Sequence, residues 1–192
     1  MVSIRNSQQT VEARILDAAA ECVLAYGVER MTLTDIARRA RVSRPTIYRR
    51  WPDIRYVLAD LLTARIAGLL DAIPSRGVGR EDMVERIVAA AEYLRGDEVV
   101  MSVLQNAPNM AMVYITERLG TSQQILIDAL AHAIKLGQDE GSVRPGDPRH
   151  LAAMCLLITQ SVIQSAQMVA PILDSKALGV ELAHSLNGYL KP

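Results

Sequence analysis

The residues best suited to chemistry lie in one short stretch, VSRPTIYRRWPDIR, which spans residues 42–55. This stretch holds four arginines, two prolines and the only tryptophan of the chain. A guanidinium group is always charged and presents a planar fork of donors, which suits a guanine edge or a phosphate. The stretch is therefore a candidate surface for an anionic partner.

The charge of the chain is distributed unevenly. Lys and Arg together number 21, as do Asp and Glu, so the net charge is zero. Residues 30–55 nevertheless hold eight arginines against Asp35 and Asp53, a balance of +6, which leaves −6 for the remainder. One segment is thus suited to a polyanion and the rest is not. The alternative is that these arginines form only a solvated face.

Other functional classes find little support in the sequence. We find no nucleophile elbow, phosphate-binding loop or catalytic carboxylate pair, so an enzyme is not expected. His132, His150 and His184 lack metal-ligand spacing, and Cys22 and Cys155 are expected to be separate buried side chains. We expect no metal and no cofactor. The polar beginning of the chain does not read as a signal peptide, which predicts a cytoplasmic protein.

Three helices are expected to position the arginine-rich stretch. Apolar spacing predicts a first helix between Thr10 and Gly27. The segment TLTD at residues 32–35 matches a capping box that opens a short second helix. A third helix is predicted from its cap, Ser43, to about Arg50.

Two short helices joined by a tight turn can place the second helix in a DNA major groove. We expect Ile47 and Trp51 to anchor the third helix to the first. Arginine can read a base or neutralise phosphate, while Thr and Tyr hydroxyls hold the backbone in register. The side chains expected to be exposed are Arg44, Thr46, Tyr48 and Arg49.

The rest of the chain is also predicted to be helical. A long helix follows Asp53 and stops near Pro74, and PSRGVGR at residues 74–80 is a linker. We predict an all-α protein with a DNA-binding domain at 10–70 and a ligand-binding and dimerisation domain at 75–192. The further predicted helices are 81–95, 98–106, 109–119, 122–140, 148–169 and 175–190.

The run TLTDIARRARVSRPTIYRRWPD at residues 32–53, preceded by RILDAAAECVLAYG at 14–27, resembles the helix-turn-helix domain of the TetR family of bacterial transcriptional repressors. The resemblance reaches to about residue 60. It implies a DNA-binding domain followed by a helical half that holds a small-molecule inducer and pairs with a second copy. The DNA contacts expected from the residues and the resemblance are Thr32, Thr34, Arg41, Ser43, Arg44, Pro45, Thr46, Tyr48, Arg49 and Arg55.

Three positions depart from the family pattern. Arg41 stands where the turn usually has glycine, which predicts a left-handed conformation at a cost of roughly 1 kcal/mol or more. Pro45 replaces a small flexible residue. Ile54 replaces a lysine that often meets phosphate. Arg55 follows at the next position and is an alternative source of that charge, about 100° further around the helix.

Residues 151–173 contain no charged side chain, a length that can span a membrane. The glutamines along this helix, and a start at Asp147 and Pro148, favour a buried protein interface over lipid. A homodimer also suits a palindromic DNA site, with recognition helices about 34–36 Å apart. The dimer residues expected are Gln160, Gln164, Gln167, Leu178, Leu182 and Leu186.

A ligand cavity is expected between the linker and the dimer helices, and methionine adapts well to irregular apolar ligands. Methionine and tyrosine at helical spacing are, however, more often ordinary core. The candidate lining residues are Tyr93, Met101, Met110, Met112, Tyr114 and Met154.

The sequence therefore predicts a transcriptional regulator that is released from a palindromic operator by a small apolar molecule. The main alternative is a helical carrier or sensor of apolar ligands whose basic segment binds another anion, such as a membrane surface. A second alternative is a DNA-binding activator, or a repressor without a ligand.

Overall fold

The computed structural model describes residues 10–106 and 121–192, and every regular element in these ranges is an α-helix. The all-α prediction is confirmed. The helix predicted at 109–119 lies outside the described residues. The helices are α1 (Val11–Tyr26), α2 (Leu33–Arg39), α3 (Arg44–Arg50), α4 (Ile54–Ala72), α5 (Arg80–Gly96), α6 (Glu98–Asn106), α7 (Thr121–Asp139), α8 (Pro148–Val169) and α9 (Ser175–Leu190).

Side-chain caps explain where several of these helices begin. The side-chain oxygens of Thr10, Ser43 and Asp147 each accept a backbone amide of the following turn, at 3.1, 3.3 and 2.8 Å. Each cap satisfies a donor that has no partner within its own helix. The predicted starts of α1, α3 and α8 are therefore confirmed.

The first hydrophobic core joins α1, α2, α3 and α4. Ile47 and Trp51 are fully buried in it, as predicted, and Trp51 Nε1 donates a hydrogen bond to Asp60 Oδ2 at 2.7 Å. Helix α6 also packs against α1 and adds Val99 and Val103 to this core. Helix α6 follows the 74–80 linker and so belongs to the second predicted domain, although it packs on the first core. The domain division at 10–70 and 75–192 stays a prediction.

The second core is built by α5, α7, α8 and α9. Cys155 is fully buried in it, and Cys22 is fully buried in the first core, both as free thiols. Desolvation raises the pKa of the Cys155 thiol to about 11. Leu94 and Leu104 are partly buried and contact both cores. The two cores are therefore in direct contact through α5 and α6.

Within the described ranges, α8 is the one helix that by length and composition can cross a membrane. One side of it, which includes Leu151, Cys155 and Ile163, is buried in the second core. The other side bears exposed apolar residues, so α8 has one face packed and one face uncovered.

Candidate nucleic-acid interface and internal cavity

The turn between α2 and α3 holds the arginine-rich stretch in place. Thr32 Oγ1 accepts the amide of Asp35 at 3.1 Å and donates to its carboxylate at 2.6 Å, which closes the first turn of α2. The hydrogen bond that the Thr32 hydroxyl donates to the carboxylate holds the pKa of Asp35 below its usual value. Arg41 adopts a φ of 54°, so the predicted left-handed conformation is confirmed.

The outer face of α3 presents Arg44, Pro45, Tyr48 and Arg49 to solvent, while Ile47 points into the core. Ser43 Oγ and Thr46 Oγ1 lie 2.7 Å apart and share a hydrogen bond at the start of the helix. The expected exposed side chains of α3 are thus on one accessible side, except that Thr46 is half-buried.

Ion pairs divide the eight arginines of residues 30–55 into two sets. Arg38 and Arg55 pair with Asp35 and Asp53, both at 2.8 Å. Arg39 pairs with Glu21 at 3.4 Å, and Arg50 pairs with Glu12, both carboxylates being on α1. Within the described residues, those without an ion pair are Arg30, Arg41, Arg44 and Arg49. Three of these four belong to the expected DNA contacts.

Arg55, a predicted phosphate contact, forms a local ion pair. Its guanidinium folds back on Asp53, with Nε 3.2 Å and Nη2 2.8 Å from Asp53 Oδ2. These hydrogen bonds hold the pKa of Asp53 below its usual value, so the carboxylate stays charged beside Arg55. Ile54 packs partly against the first core. The guanidinium of Arg55 therefore lies beside Asp53 at the start of α4, and its contact with DNA phosphate stays a prediction.

The remaining expected contacts, Thr32 and Thr34, flank the start of α2. Thr32 is exposed and Thr34 is half-buried. The Thr32 hydroxyl donates to the Asp35 carboxylate and accepts the Asp35 amide, so one lone pair of its oxygen remains for a DNA contact.

A second feature is a cavity of about 180 Å³ between α4, α5, α6, α7 and α8. Most of its wall is aliphatic. The aliphatic lining residues are Leu62, Ile66, Leu69, Ile73, Met83, Ile87, Ala90, Ala91, Leu94, Val100, Leu104, Leu126, Ala129, Leu130, Ala133, Leu156 and Ile163.

Five polar side chains also line the cavity, and Arg86 is the charged one among the described residues. The other four are Gln123, Thr159, Gln160 and Gln164. Sequence reasoning missed Arg86. The available signal was its position in the α5 stripe Met83, Arg86, Ala90 and Leu94, whose other members are apolar.

The predicted lining residues lie elsewhere. Tyr93 and Met154 are 52% and 41% exposed and face away from the cavity, and Met101 packs against the second core. Met110, Met112 and Tyr114 lie outside the described residues. Tyr93, Met101 and Met154 do not line this cavity, whose aliphatic wall is formed by branched aliphatic residues, alanines and Met83.

Comparisons with known proteins bear on both features. Residues 15–61 match the profile described as "Bacterial regulatory proteins, tetR family". An HTH-type transcriptional regulator of Mycobacterium tuberculosis H37Rv is 57% identical over 190 residues, which cover 99% of this chain and 100% of that protein. The chain belongs to the TetR family. It is accordingly a helix-turn-helix transcriptional regulator, and the predicted resemblance is confirmed.

The fold of this TetR-family regulator is shared by solved structures of low sequence identity. FadR of Bacillus subtilis, in complex with stearoyl-CoA, has a TM-score of 0.69 at 20% identity and covers 92% of this chain and 98% of that one. RolR in complex with resorcinol has a TM-score of 0.71 at 14% identity and covers 94% and 87%. At these identities the likeness concerns the fold alone.

The predicted dimer residues of this TetR-family chain need correction. Leu178, Leu182 and Leu186 are at most 7% exposed and form core of the same chain. Gln160 and Gln164 line the cavity, and Gln167 is exposed. The predicted side of α9 is buried in its own chain, because both sides of that helix carry apolar residues. Pairing through α8 and α9 stays a prediction.

The uncovered face of α8 and α9 instead contains other apolar side chains. Met168 is 76% exposed and Leu157 and Val180 are each 58% exposed. Met154, Leu157 and Met168 follow the spacing of one helical stripe along α8. This uncovered apolar face is the surface that remains available to a partner.

Proposed function

We propose that the protein is a ligand-controlled repressor that binds a palindromic operator in the cytoplasm as a homodimer. One observation carries the ligand-controlled part of the proposal. Leu62 of α4 and Val100 of α6 are buried in the first core and also line the cavity. A molecule in the cavity therefore contacts side chains that support the DNA-binding helices.

The DNA-binding step depends on the guanidinium groups that have no ion pair within residues 10–106 and 121–192. Arg44 and Arg49 stand on the exposed side of α3, and Arg41 stands at the turn before it. A guanidinium without a carboxylate partner can bond a guanine edge or a phosphate without first breaking an ion pair. We infer that these three arginines, with the hydroxyl of Tyr48, supply the main contacts to the operator.

Two-fold pairing is proposed to occur through the uncovered face of α8 and α9. Exposed apolar patches on a folded chain are typical of protein interfaces. Met154, Leu157, Met168 and Val180 supply such a patch, and burying them against a second copy removes them from water. The pair then presents two α3 helices to successive major grooves, about 34–36 Å apart.

Release of the operator by a ligand is explained by side chains that line the cavity and also contact the first core. Leu94 and Leu104 contact both cores and the cavity, so a change in cavity shape moves α5 and α6 against the DNA-binding helices. A shift of a few Å between the two α3 helices misplaces contacts that must form together. A ligand drives this change only by as much as it prefers the released state.

Relatives lend support to the proposal. FadR and RolR have been solved with stearoyl-CoA and resorcinol, and QsdR of Rhodococcus erythropolis, with a TM-score of 0.68, is a transcriptional repressor. FadR and RolR thus bind chemically different molecules on a common fold.

The coupling can be tested without knowing the effector. Phenylalanine in place of Ala90 adds a ring inside the cavity and imitates occupancy, whereas Ala64→Phe adds the same ring on the exposed side of α4. We expect Ala90→Phe to weaken operator binding at least tenfold and Ala64→Phe to leave it within about twofold. The measurement is fluorescence anisotropy with DNA from upstream of the protein's own gene.

Two further controls make the test decisive. Circular dichroism and sedimentation must show that Ala90→Phe remains a folded dimer, and Ala90→Leu replaces it if overpacking prevents folding. A folded dimer with full operator affinity would refute ligand control through this cavity.

Repression itself is tested by a reporter under the upstream promoter, whose output should rise when the gene is deleted.

A further inference from the structure

Arg86 is the one charged residue on the wall of the cavity among the described residues. It lies on α5 with Met83 one turn before it and Ala90 one turn after it, and both also face the cavity. A charge on an apolar wall is costly unless a partner compensates it. The guanidinium of Arg86 therefore needs a hydrogen-bond acceptor.

The described part of the chain supplies Arg86 with no such acceptor. Among the residues that the structure describes, its buried Nε has no hydrogen-bond partner and no carboxylate forms an ion pair with it. The nearby acid, Asp82, accepts from Ser75 Oγ at 2.9 Å and from the amide of Arg76 at 2.8 Å. The charges of Arg86 and Asp82 attract each other, but the carboxylate of Asp82 already accepts hydrogen bonds from the linker residues Ser75 and Arg76.

Two other arginines of α5 show that an unpaired Nε alone does not define the site. Arg80 and Arg95 also have a buried Nε without a partner, yet neither lines the cavity. Arg95 Nη2 donates instead to Ser175 at the start of α9. What distinguishes Arg86 is that its side chain lines a mostly apolar cavity.

The chemistry of the wall selects the kind of molecule that fits. A carboxylate can accept two parallel hydrogen bonds from a guanidinium, and the planar fork of arginine favours that geometry. The amides of Gln160 and Gln164 line the same cavity and offer further donors. The aliphatic remainder of the wall suits a hydrocarbon body. A doubly charged phosphate would leave one charge uncompensated in this apolar surrounding.

The volume of the cavity limits the size of the ligand. A cavity of 150 Å³ lined by apolar residues is known to hold benzene, and this one measures about 180 Å³. We propose that the cavity binds a monocarboxylate with an apolar body of about six to ten carbon atoms, held by the guanidinium of Arg86. This inference rests on the proposed function in so far as the cavity is the effector site.

The test uses the full-length protein and matched ligands. Calorimetry compares hexanoate, octanoate, decanoate and phenylacetate with octan-1-ol and octylamine. At least one carboxylate should bind more tightly than octan-1-ol, and octylamine should bind most weakly because its charge is repelled. In Arg86→Met, carboxylate affinity should fall about 10- to 100-fold, the range expected for lost charge-assisted hydrogen bonds, while octan-1-ol binding stays within about threefold.

Two variants serve as controls. Arg80→Met removes another arginine of the same helix whose Nε is buried but which lies outside the cavity, so carboxylate affinity should not change. Arg86→Lys keeps the charge and loses the planar fork, and we expect an intermediate affinity. Carboxylate binding that survives Arg86→Met unchanged, or the failure of all four carboxylates to bind at millimolar concentration, would overturn the inference.

Measuring operator release with the same ligands distinguishes a failure of this inference from a failure of the proposed function. If octan-1-ol releases the operator and carboxylates bind no better than the alcohol, the charge preference is wrong and ligand control stands. If a carboxylate binds through Arg86 and the operator remains bound, the binding site stands and ligand control through it is wrong.

Discussion

Arg65 Nη1 donates to Asp97 Oδ2 at 2.7 Å and so ties α4 to the beginning of α6. The side chain of Asp97 is only 5% exposed, and its Oδ1 accepts the amides of Val99 and Val100 at 2.9 and 3.1 Å. One carboxylate thus caps α6 and holds the helix that carries Arg65. Both helices also form part of the cavity wall.

Removing this carboxylate should destabilise the fold. Asp97→Ala leaves two amides and a half-buried guanidinium without their acceptor, and we expect a loss of about 2–3 kcal/mol in the free energy of unfolding. Asp97→Asn keeps an oxygen for the cap and should lose about half as much. Urea denaturation followed by the fluorescence of Trp51, the single tryptophan, measures both. A change below about 0.5 kcal/mol in Asp97→Ala would contradict this role.

Neighbouring arginines of α3 should differ in their effect on operator binding. Arg49 is unpaired among the described residues, so Arg49→Ala should weaken binding by about 1–3 kcal/mol if it reads a base. Arg50 is already paired with Glu12 and lies over the Trp51 ring, 5.3 Å from its centroid. We expect Arg50→Ala to affect operator binding less and stability more. Anisotropy titrations at one salt concentration provide the comparison, and equal losses for the two variants would count against the assignment.

The left-handed turn at Arg41 should separate stability from DNA binding. Arg41→Gly removes the strain of a φ of 54° and should raise the free energy of unfolding by up to about 1 kcal/mol. Arg41→Ala keeps the Cβ and should bring no such gain. Both variants lose the same charge and should weaken operator binding equally. Thermal denaturation and anisotropy on the same three proteins check this, and an equal stability of the Gly and Ala variants would refute the strain argument.

Acid should weaken the helix caps around α3. Asp35 and Asp53 have pKa values below their ordinary value of 3.8 because Thr32 and Arg55, respectively, donate to them. A carboxyl whose pKa is lower in the folded state stabilises above its ordinary pKa, and this contribution disappears as pH falls through the lowered value. The Trp51 fluorescence signal should therefore report destabilisation below about pH 4. Asp35→Asn with Asp53→Asn should flatten this dependence, and an unchanged slope would exclude these groups as its source.

Features that depend on neighbours a few positions away were predictable from the sequence. The caps at Thr10, Ser43 and Asp147 follow from residue types at short spacing, and the left-handed Arg41 follows from the family pattern of the turn. Each rests on hydrogen bonds or backbone angles within about one helical turn. The helix ends agree with prediction for the same reason.

Features that depend on distant segments were decided by the tertiary structure. Glu12 and Glu21 on α1 neutralise Arg50 and Arg39, and Arg86 faces a cavity whose other walls lie on α4, α6, α7 and α8. The sequence alone determined that the chain is an all-helical regulator with an exposed α3. Which arginines remain unpaired, which side of α9 is buried and which residues enclose the cavity depended on long-range packing, because apolar residues on two sides of a helix leave its orientation open until its neighbours are in place.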